Sequence, residues 1–272
     1  MRLELVQGYE RIFDKERNAD FIKNRLEESE ADLIIFPELF LTGYVINERA
    51  FELAEKKSSQ LIREIAESAE KNKKATIFGA VEEDEEVKGL YYNSAFVIDE
   101  KGAVDTYRKI SLPNFGPFNE KRFFCEGGER KTFSLKGAKV CVLICYDLFF
   151  PQLCSPCDLL VYISASPYTS RSSFEKLFPA RALESTSYLA YVNLAGREES
   201  TMFWGGSRAL DPHGDEILRM KYFESEIAQA DVDIGSLSQI RTRRPVIRDA
   251  KMGIVEKNIK KGLFQVGSLD RK

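Results

Sequence analysis

Cys145 closes the apolar run Lys139–Cys145 and is followed at once by Tyr146-Asp147-Leu148-Phe149-Phe150-Pro151-Gln152. This pattern predicts a buried strand whose last residue is a thiol, then a turn into a helix. At a helix start, backbone N–H groups and the helix dipole favour thiolate, and one N–H can hold an oxyanion. The chain holds one histidine, His213, flanked by Pro212 and Gly214 in a sequence that reads as a hairpin turn. A nucleophilic Cys145 therefore needs a base other than imidazole.

Carboxylates and a lysine supply the remaining chemistry. Glu38 follows the apolar run Ala31–Phe36 and Pro37. It is placed near the carboxyl end of a sheet, where α/β folds build their sites, although a helix-capping acid has the same signature. Lys109 ends Val104–Lys109 just before a stretch rich in Gly and Pro, residues 109–130, and Glu120 lies inside that stretch. Taken singly, Lys109 and Glu120 read as ordinary surface residues. Taken with Cys145 they complete an acyl-transfer set. The carboxylate accepts the thiol proton, and the ammonium stabilises the negative oxygen of a tetrahedral intermediate.

Other chemistries lack their signatures. The sequence has no phosphate-loop motif, no G-x-G-x-x-G, no G-x-S-x-G and no H-E-x-x-H. Cys154-Ser-Pro-Cys157 is a single C-x-x-C without the second ligand pair that a structural zinc requires, so no metal is expected. The 272 residues carry a formal net charge of −3, with 43% hydrophobic and 31% charged residues. That balance describes a soluble globular chain and disfavours nucleic acid as a partner. Met1–Gln7 reads as a first strand rather than a leader, and no apolar stretch approaches the ~18 residues of a membrane span. Five cysteines, two of them inside an apparent core strand, are read as reduced thiols of a cytoplasmic protein.

The elements that must position these residues follow from periodicity. Strands are expected at 2–6, 31–36, 75–82, 91–98 and 103–108, with helices at 16–29 and 50–72. Asp99–Gly102 is a plausible hairpin turn. Residues 109–130 are expected to be an irregular, functional loop. After Cys145 the pattern gives a short helix, a strand at 158–164, a helix at about 172–187 and a strand at 188–194. Hairpins follow over 200–210, 216–220 and 226–232. The basic segment from 236 onward lacks periodicity. Strands and helices that mix without strict alternation predict a two-sheet α/β sandwich.

Along nearly its whole length the chain resembles the nitrilase, or carbon–nitrogen hydrolase, superfamily. The resemblance is carried by Ile35-Phe-Pro-Glu38 with Thr42-Gly-Tyr44, by Arg108-Lys109 with Leu112-Pro-Asn and Glu120, and by Cys145-Tyr-Asp147 with Phe150-Pro151. Leu112–Glu120 and Ser164-Ala-Ser-Pro167 look most like the glutaminase domain of glutamine-dependent NAD synthetases. The resemblance implies a single domain over 1–272 with a four-layer αββα sandwich fold. It implies Cys145 as nucleophile, Glu38 as general base, Lys109 as oxyanion stabiliser and Glu120 as a second carboxylate orienting lysine or substrate. It further implies substrate contacts at Tyr44, Phe115, Tyr146, Phe149 and Ser166, no metal or organic cofactor, and a homodimer or higher homo-oligomer in which the 236–272 tail packs on the partner.

Two departures bear on substrate. The glutaminase branch carries glutamate after the cysteine, whereas this chain has Tyr146; small free-standing amidases of the family often have Arg-Phe-Pro-Glu where this chain has Phe149-Phe150-Pro151-Gln152. Both charges of that segment are absent, which implies an apolar pocket edge. Arg171 is either a polar anchor for substrate or a surface arginine. The expectation is an amidohydrolase for a small non-peptide amide. Its rivals are a glutaminase subunit feeding a separate synthetase and a silent homologue that only binds partners.

Overall fold

A computed structural model of the chain describes residues 1–45, 47–116 and 118–250. Strands β1 (Arg2–Gln7), β2 (Leu33–Ile35), β3 (Ala75–Glu83), β4 (Tyr91–Ile98) and β5 (Val104–Arg108) come from the first part of the chain. Strands β6 (Thr132–Leu135), β7 (Ala138–Ile144), β8 (Leu159–Ser164), β9 (Tyr188–Asn193), β10 (Ala195–Glu198), β11 (Thr201–Trp204), β12 (Arg208–Leu210), β13 (Glu216–Arg219) and β14 (Glu226–Asp231) follow. They form two six-stranded sheets, ordered β14-β1-β2-β3-β4-β5 and β13-β12-β9-β8-β7-β6, plus the β10-β11 hairpin.

Alternation along the strands explains the layers. Leu3, Leu5, Leu33, Ile35, Ala75, Ile77, Ala95 and Val97 face the second sheet and share one core with residues of β7, β8 and β9. Their neighbours Val6, Ile34, Phe78, Phe96 and Ile98 point the other way, onto Ala19, Ile22 and Leu26 of helix α1 (Lys15–Glu28) and Ile62, Ile65, Ala66 and Ala69 of a second long helix, Gln60–Asn72. Both faces of these strands are buried, so the central ones read as continuous apolar runs. Across the second sheet, Phe174 and Phe178 of the helix Arg171–Ser185 pack against Tyr191 at 5.9 and 4.3 Å between ring centroids. Helices thus flank both sheets, giving the expected αββα sandwich.

Several boundaries differ from expectation for local reasons. The stretch 50–72 is not one helix: Ala50–Leu53 and Gln60–Asn72 are separated where Glu55 joins the edge of β3 through hydrogen bonds with Val81 and Glu83. β6 was not foreseen, being a four-residue edge strand with half its side chains exposed. The turn after Cys145 is a single 3-10 segment, Cys145–Phe149, rather than a helix with a developed dipole. The tail begins with two short helices, Leu237–Arg243 and Val246–Asp249, and packs on its own chain: Arg241 donates to Asp158 at 3.0 Å and to Thr186 O at 3.2 Å. The rest of the predicted tail, 251–272, lies outside the described residues. Among the described residues no helix is long and apolar enough to cross a membrane.

Gly79 is where the fold permits the site to exist. It pairs with the chain just beyond β2, donating to Pro37 O at 3.0 Å and accepting from Leu41 N at 3.0 Å. A Cβ built there would stand 2.0 Å from the Leu39 nitrogen and 2.6 Å from the Glu38 Cα. Any side chain must push Glu38 off the sheet. Gly79→Ala is therefore expected to lower stability by about 1–3 kcal/mol, read as a lower Tm in thermal denaturation, and to reduce Cys145-dependent chemistry. An unchanged Tm would contradict this packing.

Candidate active site

Glu38, Lys109 and Cys145 leave the ends of β2, β5 and β7, and all three are buried. The sandwich brings the ends together because β2 and β5 belong to one sheet and β7 to the other. Register at β5 is fixed by Arg108, whose guanidinium forks onto both oxygens of buried Glu82 at 2.6 and 3.1 Å. Such bidentate pairs are directional, so the next residue, Lys109, is aimed inward.

The Lys109 ammonium donates to Glu38 Oε1 at 2.7 Å and to Glu120 Oε1 at 2.9 Å. Two of its three N–H groups are thus taken, leaving one for a reacting oxygen. Burial alone would push the Lys109 pKa down, but Glu120 and Glu38 outweigh it and hold the group above its ordinary value, as ammonium. Glu38 Oε2 accepts from the Ala165 N–H at 2.7 Å, at the end of β8. Glu120 enters from the one-turn segment Glu120–Arg122, tied by its N–H to Pro113 O at 3.2 Å, and Tyr44 OH donates to its Oε1 at 2.8 Å. Burial pushes the Glu120 carboxyl above its ordinary range while Lys109 opposes this.

Cys145 departs from expectation in its protonation. Burial, then the Glu38 charge, push its thiol well above the ordinary value, against Lys109. A short 3-10 turn does not offset that desolvation, so the resting group is a thiol and not the thiolate expected of a helix start. Its backbone is left-handed, with φ +46°, an uncommon conformation for a non-glycine residue and one that concentrates at functional sites. The turn is held by Asp147, fully buried, which accepts from Ile144 N at 3.1 Å, Ser111 N at 2.8 Å and Tyr107 OH at 2.9 Å. One side chain thereby fixes the Cys145 turn to the strand that delivers Lys109.

Two participants were not anticipated. Asn93, fully buried in β4, donates from Nδ2 to Glu38 Oε1 at 2.7 Å and to Glu120 Oε2 at 3.5 Å, bridging both carboxylates. Its signal in the sequence was a polar Asn-Ser pair inside the otherwise apolar strand Tyr91–Ile98. Glu198 of β10, also buried, accepts from Tyr44 N at 3.0 Å and Val45 N at 2.8 Å and so sets the segment carrying Tyr44. The substrate-contact residues divide. Phe115 and Phe149 lie against Tyr146, the neighbour of Cys145, at 5.3 and 5.4 Å. Ser166 is buried beside Ala165, its Oγ bonded to Ser170 Oγ at 2.6 Å. Arg171 is directed elsewhere: its guanidinium lies 3.9 Å over the Tyr222 ring and pairs with Glu175 at 3.4 Å, the surface alternative for that residue.

A further carboxyl bears on this geometry. Glu10 has a buried Oε2 without a hydrogen-bond partner, and burial, with Glu198 adding to it, pushes its pKa up to about 7. A carboxyl whose folded value is raised stabilises the fold most below its unfolded value, and that benefit is lost as pH rises to about 7. Glu10→Gln is therefore expected to gain about 2–3 kcal/mol relative to the parent at pH 8 and little at pH 4.5. Thermal melts across that window read this out, and a pH-independent difference would contradict it.

Comparison with known proteins agrees with this architecture. The carbon–nitrogen hydrolase family model matches residues 3–242. The chain is 32% identical over 218 residues to a glutamine-dependent NAD(+) synthetase of Thermotoga maritima, covering 76% of this chain and 37% of that protein. It spans less than half the length of the first synthetases it matches. Among solved structures, a CN-hydrolase superfamily protein of Xanthomonas campestris with an arsenic adduct in its active site aligns with TM-score 0.83 and 26% identity, covering 92% of this chain and 96% of that one. An amidase of Nesterenkonia sp., captured as a glutamate-to-glutamine mutant with acrylamide added to its active-site cysteine, aligns with TM-score 0.73 and 28% identity over 89% of this chain and 97% of that one. With a family model matching most of its length and the same fold in its structural neighbours, this chain belongs to the carbon–nitrogen hydrolase family.

Proposed function

We propose that the chain is an amidase that cleaves the C–N bond of a small non-peptide amide through a thioester on Cys145. The observation that carries the reading is the buried Glu38–Lys109–Glu120 array at strand ends that meet the Cys145 turn. An ammonium held between two carboxylates is costly to bury, and the cost is explained by a reaction that develops negative charge beside it. The adduct on the active-site cysteine of the Nesterenkonia amidase supports a cysteine as the nucleophile. All five cysteines are free, which suits a reducing, cytoplasmic compartment.

In this mechanism Cys145 Sγ attacks the amide carbon while Glu38 takes the thiol proton. A neutral thiol with a carboxylate base fits the upward-shifted Cys145, because attack and proton transfer then occur together. The carbonyl oxygen, now negative, receives the remaining Lys109 N–H. Glu38 returns its proton to the leaving nitrogen, ammonia or an amine departs, and the acyl group stays on sulfur. Glu38 then takes a proton from water, the hydroxide attacks the thioester, and the proton passes to the departing thiolate. Asn93 and Ala165 N–H hold Glu38 in place through both halves, and Glu120, itself fixed by the Tyr44 hydroxyl, holds Lys109.

The synthetase relatives favour a second reading, a glutaminase subunit that supplies ammonia to a separate partner. Ammonia release from glutamine that rises when a synthetase is added would select it. For either reaction, Cys145→Ala is expected to reduce turnover by at least about 10⁴-fold with fold intact. Glu38→Gln is expected to block acylation and deacylation alike. An active Cys145→Ala protein overturns the mechanism, and rapid thioester formation in Glu38→Gln removes Glu38 from the base role.

A further inference from the structure

Tyr146, half-buried directly after the nucleophile, sits within a group of phenylalanine rings. Its ring centroid lies 5.3 Å from Phe115, 5.4 Å from Phe149 and 5.2 Å from Phe150. Phe115 is 53% and Phe149 37% exposed. Two large apolar rings left in water next to a reacting centre are a surface that gains from being covered. Phe149 also leans on Phe174 at 5.5 Å, so the wall is braced by the helix behind it.

Three charged groups named in the site are already engaged. Lys109 lies between Glu38 and Glu120, Arg171 is held by Glu175 and the Tyr222 ring, and Asp147 is turned onto backbone N–H groups and Tyr107. None of the three is turned toward a substrate's carboxylate or ammonium group. Ring faces repel an anion, because the aromatic quadrupole is negative there. The same faces attract a cation, most strongly at tryptophan and less at phenylalanine, so the cationic amide is the discriminating member of the test below.

We propose that the acyl half of the substrate is uncharged and carries an aryl or comparably flat apolar group that packs on Tyr146 between Phe115 and Phe149. This inference rests on the amidase reading and narrows it to a substrate class. It also accounts for tyrosine at the position following the nucleophile, since an aromatic ring there extends the wall to the reacting carbon.

The test is ammonia release by the full-length chain from 3-phenylpropionamide, acetamide, L-glutamine, succinamate and glycine betaine amide. The expected kcat/KM for 3-phenylpropionamide exceeds that for acetamide by about 10-fold or more, and that for the three charged amides by about 100-fold. Tyr146→Ala should lower the aryl value by about 10-fold and the acetamide value by less than about threefold. Equal rates across the panel, or preference for a charged amide, overturn the inference while leaving the amidase reading intact. If no amide is turned over, the amidase reading fails, and calorimetry on Cys145→Ala decides the wall separately. A Kd for 3-phenylpropionamide about 10-fold below that for acetamide supports it; equal Kd values overturn it.

Discussion

The buried Lys109 ammonium, shared by Glu38 and Glu120, is the interaction on which the rest of the site depends. Both ion pairs lie out of water, where removing one partner leaves an uncompensated charge worth about 3–5 kcal/mol. The array persists only if its carboxylate oxygens find further donors. Asn93 Nδ2, Ala165 N–H and Tyr44 OH meet that requirement from three directions. Each comes from a different segment, so the array also records that both sheets are in register.

The scaffold serves the same constraint. Gly79 lets β3 run close beneath Glu38, the Arg108–Glu82 fork fixes where β5 ends, and Asp147 couples the Cys145 turn to Ser111 and Tyr107. These contacts tie the three strand ends to one another although the strands belong to two sheets. Cys145 meanwhile carries a left-handed backbone and an unfavourable burial, two costs that a packing residue would not need to bear. Placed beside a carboxylate and an ammonium, the same costs are consistent with the proposed role of Cys145 as a nucleophile that loses its proton as it attacks.

The sequence revealed the strand ends more readily than what holds them. Apolar runs that stop at Phe36 and Cys145, and a strand that gives way to a Gly/Pro-rich loop at Lys109, marked the ends, and the absence of a second histidine directed attention to Glu38 and Lys109. Asn93 stood out as polar in an apolar strand, but its role was illegible because its partners lie 55 and 27 residues away, and only the folded chain brings them together. The break at residues 54–59 was hidden because it arises from an edge contact with β3, not from a local breaker. The thiolate expectation failed because a helix dipole was assumed where the chain makes a single 3-10 turn, and desolvation dominates there. Arg171 shows the same limit: seven residues past Ser164, its spacing could not tell whether its charge faced the pocket or Glu175.

The decisive measurement is intact-protein mass spectrometry of the chain, acid-quenched during turnover of an amide and followed by peptide mapping. A thioester mechanism predicts an added mass equal to substrate minus the leaving amine, located on Cys145 and labile to hydroxylamine. Ammonia release with no adduct at Cys145, or with the adduct on another residue, would contradict it.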